Sequence, residues 1–343
     1  MSADRWAWIE LSFRSPAPDP APLFAMHLAP FLAAERAAGR IAGALLLREL
    51  GRSDHPRIAM QVQAGQPRTA GPADRDLAER WRQVAQAMGA ADITAGPARE
   101  VPLTGSGFEG PCLGPLTREF LAEVTPVLLP AAGTTDRAAR LAAALDLTAA
   151  HLPAVAASTV PGPHGGAPLS FLSLRSHAEA FLTSTRDPTS ARQALDQRYD
   201  AVRDSVEERV AGVLAQVRGT GPEISPAARA WFEAARTAKP TMAEGFRTGR
   251  LGVVADDPPT AGGALDGSAF HRMIGSSTVL QQFLGHDPGF LATRLLTSLL
   301  YLAFHTIGLP LVERYFLCHA TSRACETLFE VDVDAVLGSL AGA

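Results

Sequence analysis

The sequence WAWIELSF, residues 6–13, is rich in aromatic and branched side chains, and this composition predicts an opening β-strand. A helix, kinked or divided by a proline, is predicted over residues 23–39, and a further element over residues 41–50. Residues 57–63 alternate as a strand should, and residues 74–88 repeat apolar side chains at helical spacing. Strand, helix, strand and helix in this order predict an α+β fold, with helices layered on a mixed sheet near the N-terminus.

Helical patterns dominate the rest of the chain. A Gly/Pro-rich loop is predicted over residues 94–115, and helices follow at residues 116–130, 136–150, 175–186, 189–218, 225–238 and 288–307. The stretch 189–218 carries most of its charges on one side, which is interpreted as a solvated face. We expect a single domain over residues 1–343, sheet-rich over 1–115 and helix-rich over 116–343. Flexible linkers are predicted at residues 161–168 and 255–263.

The composition describes a folded protein without a strong electrostatic field. Of the 343 residues, 47% are hydrophobic and 19% charged, and the net charge of −4 does not indicate binding to nucleic acid or to a membrane surface. The first residues lack the pattern of a signal peptide, and no apolar run reaches the ~20 residues of a spanning helix. We therefore expect a cytoplasmic protein. The cysteines Cys112, Cys318 and Cys325 have no metal-like spacing and are interpreted as reduced thiols.

Motifs for cofactors and for familiar nucleophiles are missing from the sequence. There is no phosphate-binding loop of the Walker type, and the GxGxxG match at residues 105–110 is followed by Pro111 rather than by a helix. The nine histidines form no ligand cluster, so no metal site is expected. If the chain is an enzyme, it is expected to work with side chains alone and without a cofactor.

Polar side chains concentrate near the C-terminus. An apolar run over residues 295–307 ends in a Gly-Leu-Pro turn, and residues 312–326 then set polar groups among apolar ones at helical spacing. Tyr315 and His319 lie four residues apart and share a helix face, as do Tyr301 and His305 in the preceding segment. Antiparallel packing of the two segments would bring both pairs to one pocket. The alternative is that these are satisfied core residues.

Four segments together resemble a known family. They are Trp8 to Phe13, then His55-Pro-Arg57-Ile-Ala59-Met, then Phe108-Glu-Gly-Pro-Cys112, and finally Phe316-Leu-Cys-His319-Ala-Thr-Ser-Arg323. Their order is similar to that in the small C-terminal elimination domain of lanthipeptide dehydratases. Ala59 and Cys112 stand where that family has arginines, which disfavours plain glutamate elimination. The ending LVERYFLCHATSRACE resembles the branch of pyridine synthases that act in thiopeptide biosynthesis.

The resemblance implies a reaction and a substrate. A pyridine synthase joins two dehydroalanines of a thiazole-containing precursor peptide by a formal aza-[4+2] cycloaddition. Loss of water and of the leader peptide then gives a pyridine-centred macrocycle, and no cofactor is required. Two alternatives stay open: glutamate elimination in a split dehydratase, and a partner that binds the leader peptide without catalysis.

The resemblance also suggests roles for individual residues. Tyr315 and His319, with Tyr301 and His305, are the candidates for proton transfer. Ser276 and Ser277 are candidates to orient an iminol, or serve as the N-cap of the following helix. Arg57 and Arg323 are expected to hold a substrate carbonyl, with a surface ion pair as the alternative for each and Glu326 as the partner of Arg323. An acidic leader would suit the basic cluster formed by Arg236, Lys239, Arg247 and Arg250, with a plain solvated face as the alternative for each member.

Overall fold

The computed structural model describes residues 6–12, 20–49, 57–64, 73–88, 92–97, 107–156, 158–160, 166–221, 225–254 and 268–342. The chain divides into two compact units. The first contains Met1–Pro102, Gly114–Ala142 and Tyr301–Pro310, and the second contains Leu103–Leu113, Ala143–Leu300 and Leu311–Ala343. The predicted linker at residues 255–263 and residues 161–165 of the other linker lie outside the described residues.

A four-stranded sheet forms the centre of the first unit. Its strands are β1 (Trp6–Ser12), β2 (Ile41–Glu49), β3 (Arg57–Ala64) and β4 (Asp92–Pro97), in the order β2-β3-β1-β4. All three pairings are antiparallel, so the expected mixed sheet is wrong in this detail. Strand β4 falls partly in the stretch predicted as a loop, where its pairing with β1 overrides the Gly/Pro-rich composition.

Helical side chains cover the edge of strand β2. The amide N–H of Leu46 donates to Oγ1 of Thr125 at 3.4 Å, and Oγ1 of Thr306 donates to the carbonyl oxygen of Leu46 at 2.9 Å. An edge strand exposes such backbone groups, and leaving them unpaired in the interior is costly. The two threonines therefore anchor β2 within the first unit.

The helices of the first unit follow the predicted pattern closely. Helix α1 (Pro20–Leu23) passes through a π-helical turn (Phe24–Leu28) into α2 (Ala29–Ala37), so the stretch is one helical run with an irregular turn before Pro30. Helix α3 (Ala73–Ala87) buries Trp81, whose ring meets Phe31 edge-on at 4.3 Å. The long helix α4 (Leu113–Ala132) begins in the second unit and continues through the first.

The second unit is mainly helical. Its two-stranded ladders pair β5 (Phe108–Glu109) with β8 (Gly252–Val253) and β6 (Thr159–Val160) with β7 (Ala167–Pro168). Its helices include α6 (Phe171–Ser184), α7 (Pro188–Asp200), α8 (Arg203–Val217), α9 (Pro226–Arg247), α10 (Ala269–Ser276), α11 (Thr278–His286), α13 (Leu311–Phe329) and α14 (Val333–Gly342). Helices α5 (Arg137–Val155) and α12 (Pro288–Thr306) have residues in both units.

The predicted helix over residues 189–218 is wrong in one respect. A turn at Ala201 and Val202 divides it into α7 and α8, although neither residue is a glycine or a proline. Asp187 is the N-cap of α7, because its side chain accepts a hydrogen bond from the amide of Ser190 at 3.0 Å.

The α+β class is confirmed, with a small antiparallel sheet and a helix-rich remainder. The expectation of a single domain stays a prediction. None of the described helices combines the length and the apolar content that crossing a bilayer requires.

Candidate functional site

Helix α13 is buried on nearly every side and carries polar groups on all of them. Among its buried residues are Glu313, Arg314, His319, Thr321 and Ser322. Buried polar atoms need hydrogen-bond partners. The partners of the polar side chains of α13 therefore show where a candidate site lies.

Helices α6 and α13 run antiparallel, and two contacts between their facing sides fix how they pack. Near one end, Arg175 of α6 donates to Glu326 of α13 at 3.4 Å. Near the other end, the rings of Phe181 and Tyr315 stack with centroids 4.3 Å apart and an interplanar angle of 15°. The stripe of α13 between these two contacts includes His319, one turn beyond Tyr315.

His319 is held by a residue from a third helix. Its Nε2 lies 3.0 Å from Oδ1 of Asp196 on α7, and its side chain is 1% exposed. Burial is the main reason that the pKa of His319 falls to about 4, although the Asp196 carboxylate acts to raise it. The imidazole is therefore neutral near pH 7.

Tyr315 is also neutral near pH 7. Its side chain is half-buried against Phe181, and burial raises the pKa of the phenol above its usual value. A neutral phenol and a neutral imidazole thus lie one turn apart on α13, and this pair can donate and accept hydrogen bonds.

Glu179 of α6 connects this helix to α7 and to the start of α10. Its buried carboxylate accepts from Arg192 of α7 at 2.8 and 2.5 Å and from the Ser268 hydroxyl at 2.8 Å, and it lies 3.0 Å from Nε of Arg175. Burial acts to raise the pKa of Glu179, but the hydrogen bonds and charges of the two arginines outweigh it and lower the pKa. The carboxylate is therefore ionised and fixes α7 and the start of α10 against α6.

A hydroxyl–imidazole contact joins helix α6 to helix α10. Oγ of Ser176 is 3.1 Å from Nε2 of His271, and burial lowers the pKa of His271. Nδ1 of His271 has no hydrogen-bond partner among the described residues. Sequence reasoning did not single out this pair, because a serine and a histidine 95 residues apart carry no joint signal.

The predicted residues outside α13 are placed as follows. Tyr301 and His305 lie on the part of α12 that belongs to the first unit, whereas Tyr315 and His319 belong to the second. That the two pairs share a pocket stays a prediction. Ser277 is the N-cap of α11, because its hydroxyl accepts from the amide of Leu280 at 3.3 Å, as the alternative interpretation expected. The exposed Ser276 donates to the carbonyl oxygen of Met273.

The predicted basic residues have local partners. Arg323 donates to Glu326 at 2.7 Å, which is the alternative that the sequence left open, and Arg57 is described only through its backbone in strand β3. In the predicted leader-binding cluster, Arg236 pairs with Glu233, Arg247 with Glu244, and Arg250 donates to the Thr248 hydroxyl. Lys239 instead donates to the carbonyl oxygen of Val155 at 2.7 Å.

Two residues that the sequence interpretation missed are Arg192 and Asp196. They were assigned to the solvated face of the predicted 189–218 helix, yet Arg192 binds buried Glu179 and Asp196 binds buried His319. Their spacing of four residues, which places both on one face of α7, is the sequence signal that could have identified them.

Comparison with known proteins identifies the fold. No family model matches the chain, and no curated protein matches it in sequence. The chain is similar to the crystal structure of TsrL, with a TM-score of 0.72 and 24% identity over 98% of this chain and 99% of that one. It is similar to TbtD, a pyridine synthase from thiomuracin biosynthesis, with a TM-score of 0.60 and 22% identity over 96% of this chain and 100% of that one.

A weaker similarity extends to MibB, a tRNA-dependent lantibiotic dehydratase from Microbispora sp. 107891. It has a TM-score of 0.48 and 14% identity, and the match covers 94% of this chain and 28% of that one. The two stronger matches span nearly the full length of both partners. The chain therefore has a thiopeptide pyridine synthase-like fold.

Proposed function

We propose that the chain is a pyridine synthase that joins two dehydroalanines of a thiazole-containing peptide. The observation that carries this proposal is the neutral pair on α13, in which buried His319 is held by Asp196 and Tyr315 lies one turn away. The full-length similarity in fold to a pyridine synthase supports the same function.

The proposed reaction consists of ring closure and proton transfers. One dehydroalanine and its neighbouring amide tautomerise to a 2-azadiene, and the second dehydroalanine supplies two carbons. A formal aza-[4+2] closure gives a hydroxylated tetrahydropyridine, which loses water and then the leader peptide as an amide. Orientation of the two reacting groups in a shaped site can supply up to about 7–11 kcal/mol of the barrier.

The α13 pair suits the proton transfers of this sequence. Formation of the iminol moves a proton from the amide nitrogen to the amide oxygen, and dehydration needs a donor for the leaving hydroxyl. The phenol of Tyr315 is proposed as the donor and the imidazole of His319 as the acceptor. Tyr301, His305 and Ser276 remain proposed contributors, and Arg57 and Arg323 are proposed to hold a substrate carbonyl.

The proposed partner is a modified precursor peptide with an acidic leader. Arg236, Arg247 and Arg250 are exposed on or just beyond α9, and their side chains can exchange local partners for leader carboxylates. Lys239 belongs to the proposed cluster by sequence, but its ammonium group donates to the end of α5.

The test is mass spectrometry of the purified protein with a synthetic peptide that carries an acidic leader, two dehydroalanines and thiazoles. We expect release of the leader as an amide, together with a macrocycle lighter by the leader and one water. His319→Gln and Tyr315→Phe are each expected to lower the rate by about 10²- to 10⁴-fold. The exposed His286→Gln variant is the matched control and should retain the wild-type rate.

Other outcomes distinguish the alternatives. Binding of the peptide without turnover would favour a non-catalytic leader-binding partner. A glutamylated substrate that yields only a linear peptide with additional dehydroalanines would favour glutamate elimination.

A further inference from the structure

The hydrogen bond between His319 and Asp196 determines which nitrogen of the imidazole carries the proton. The carboxylate oxygen of Asp196 is the acceptor, so Nε2 of His319 is the donor across the 3.0 Å contact. Because the ring is neutral near pH 7, its other nitrogen, Nδ1, then bears a lone pair. Asp196 thus sets the tautomer of a histidine that is otherwise enclosed.

Three buried polar atoms of α13 have no hydrogen-bond partner among the described residues. They are Nδ1 of His319 and the hydroxyl oxygens of Thr321 and Ser322, and of these His319 and Ser322 lie three residues apart. Residues three apart on a helix share a face, with β-carbons about 5–6 Å from each other. Leaving such an atom buried and unpaired costs about 1–3 kcal/mol, so a pair of them on one face indicates a place for a polar ligand.

Nδ1 of His319 and the Ser322 hydroxyl are complementary in their hydrogen bonding. Nδ1 of His319 accepts, whereas the Ser322 hydroxyl donates as well as accepts. A single oxygen that donates to Nδ1 and accepts from Ser322 satisfies both. A neutral hydroxyl fits this requirement, whereas a carboxylate has no proton for Nδ1.

We infer that Asp196 is a positioning residue that fixes His319 so that Nδ1 and the Ser322 hydroxyl form a subsite for a neutral hydroxyl of the substrate. This inference rests on the proposed function, in which the iminol hydroxyl of the dehydroalanine amide is the group that the subsite takes. Its proton points to Nδ1, and its oxygen accepts from Ser322. The subsite thereby stabilises the iminol relative to the amide.

The groups around His319 predict how loss of Asp196 acts. On α7, Asp196 acts to raise the pKa of His319, whereas Arg175 of α6, Arg323 of α13 and above all burial lower it. Without Asp196 the ring therefore stays neutral near pH 7 but loses the acceptor for Nε2–H. Loss of Asp196 would therefore change the orientation and the hydrogen bonding of the His319 ring, but not its charge near pH 7.

The first test uses ¹⁵N NMR of the histidine side chains in the full chain, with His319 assigned by loss of its signal in His319→Gln. We expect a neutral ring protonated on Nε2, with a proton protected from exchange with water. Asp196→Ala should lose that protection, and Asp196→Glu should restore part of it. Asp200→Ala is the matched control, because Asp200 lies one turn further along α7 in an exposed ion pair with Arg203.

The second test measures turnover of the synthetic leader-linked peptide by the same variants. Asp196→Ala and Ser322→Ala should lower kcat by about 10- to 100-fold with little change in KM, and Asp200→Ala should retain the wild-type value. Asp196→Asn, which keeps the shape of the side chain, replaces Asp196→Ala if the latter fails to fold.

The outcomes separate this inference from the proposed function. If the wild-type protein shows no turnover, the proposed function fails, and the NMR spectra still decide whether Asp196 fixes Nε2–H. If the wild type turns over and the Asp196 and Ser322 variants match it, the subsite is wrong while the function stands. A wild-type ring protonated on Nδ1 would also overturn the inference.

Discussion

The indole Nε1 of Trp231 donates to Nδ1 of His151 at 3.3 Å, deep in the second unit. Since an indole nitrogen only donates, the proton of this imidazole must be on Nε2, which lies 3.1 Å from Oγ1 of Thr297. Burial lowers the pKa of His151 to about 3, and the ring is therefore a neutral structural element.

His151 belongs to a set of histidines that should make the protein sensitive to mild acid. Burial is the main cause that lowers the pKa of four of them, His151, His177, His271 and His319. The unfolded chain binds protons near pH 6.5, whereas the folded chain binds them only at lower pH. The free energy of unfolding should therefore fall as the pH drops below about 6.5, by up to about 1.4 kcal/mol per pH unit for each group.

Urea unfolding at pH 7.5, 6.5 and 5.5 measures this dependence. His271→Gln removes one of the four groups and should give a shallower slope, whereas the exposed His286→Gln should leave the slope unchanged. Equal free energies of unfolding at pH 7.5 and 5.5 would contradict the prediction.

The ion pair between Asp146 and Arg209 should contribute more to stability than an exposed pair does. The buried carboxylate of Asp146 accepts two hydrogen bonds from Arg209, at 2.5 and 2.9 Å. Arg209→Leu leaves this carboxylate without its cation, and we expect a loss of about 2 kcal/mol after allowance for the partly exposed arginine. Arg203→Leu, which breaks the exposed pair with Asp200, should change little. Similar unfolding midpoints in urea for the two variants would refute the difference.

Local periodicity was enough to predict the fold class, but not the long-range pairings. Strand β3 and helix α3 each carry a clear repeat of apolar residues, and both were predicted within one residue of their observed bounds. Strand β4 has a composition typical of a loop and is defined by its register with β1, for example Ile9 opposite Ala95. Such pairing depends on a partner distant in the chain, which a local pattern cannot reveal.

The same limit applies to the candidate site. The spacing of Tyr315 and His319 predicted that they share a helix, and both lie on α13. The partner of His319 is Asp196, 123 residues away, in a run of charges that looks solvated when α7 is considered alone. Which charged residue of an amphipathic helix turns to a buried partner depends on how that helix packs, and sequence periodicity does not specify it.

Lys239 and the nearby arginines should have different roles, although the sequence placed them in one cluster. The ammonium group of Lys239 donates to the carbonyl oxygen of Val155, the last residue of α5, and burial lowers its pKa to about 8. Lys239→Met should lower the melting temperature and leave binding of an acidic leader peptide nearly intact. The combined change of Arg236, Arg247 and Arg250 to alanine should do the opposite and weaken binding, most clearly at low salt.

Calorimetry and a peptide-binding titration on the same two variants check this separation of roles. Arg203→Ala, which removes an exposed arginine from α8, controls for the loss of one positive charge in Lys239→Met. Loss of binding in Lys239→Met at an unchanged melting temperature would assign the lysine to the leader site instead.

Two glycines should respond in opposite directions to replacement by alanine. Gly110 has a φ of +123°, and a β-carbon there would lie 2.5 Å from the backbone oxygen of Arg250, beside the pairing of β5 with β8. Gly110→Ala is therefore expected to lower the free energy of unfolding by about 2 kcal/mol or more, since a backbone atom cannot move aside as a side chain can. Gly212 lies inside α8 with open space around its would-be β-carbon, so Gly212→Ala should raise stability by about 0.5–1 kcal/mol. Urea unfolding of both variants measures these changes. An unchanged free energy of unfolding in Gly110→Ala would mean that β5 and β8 can separate without cost.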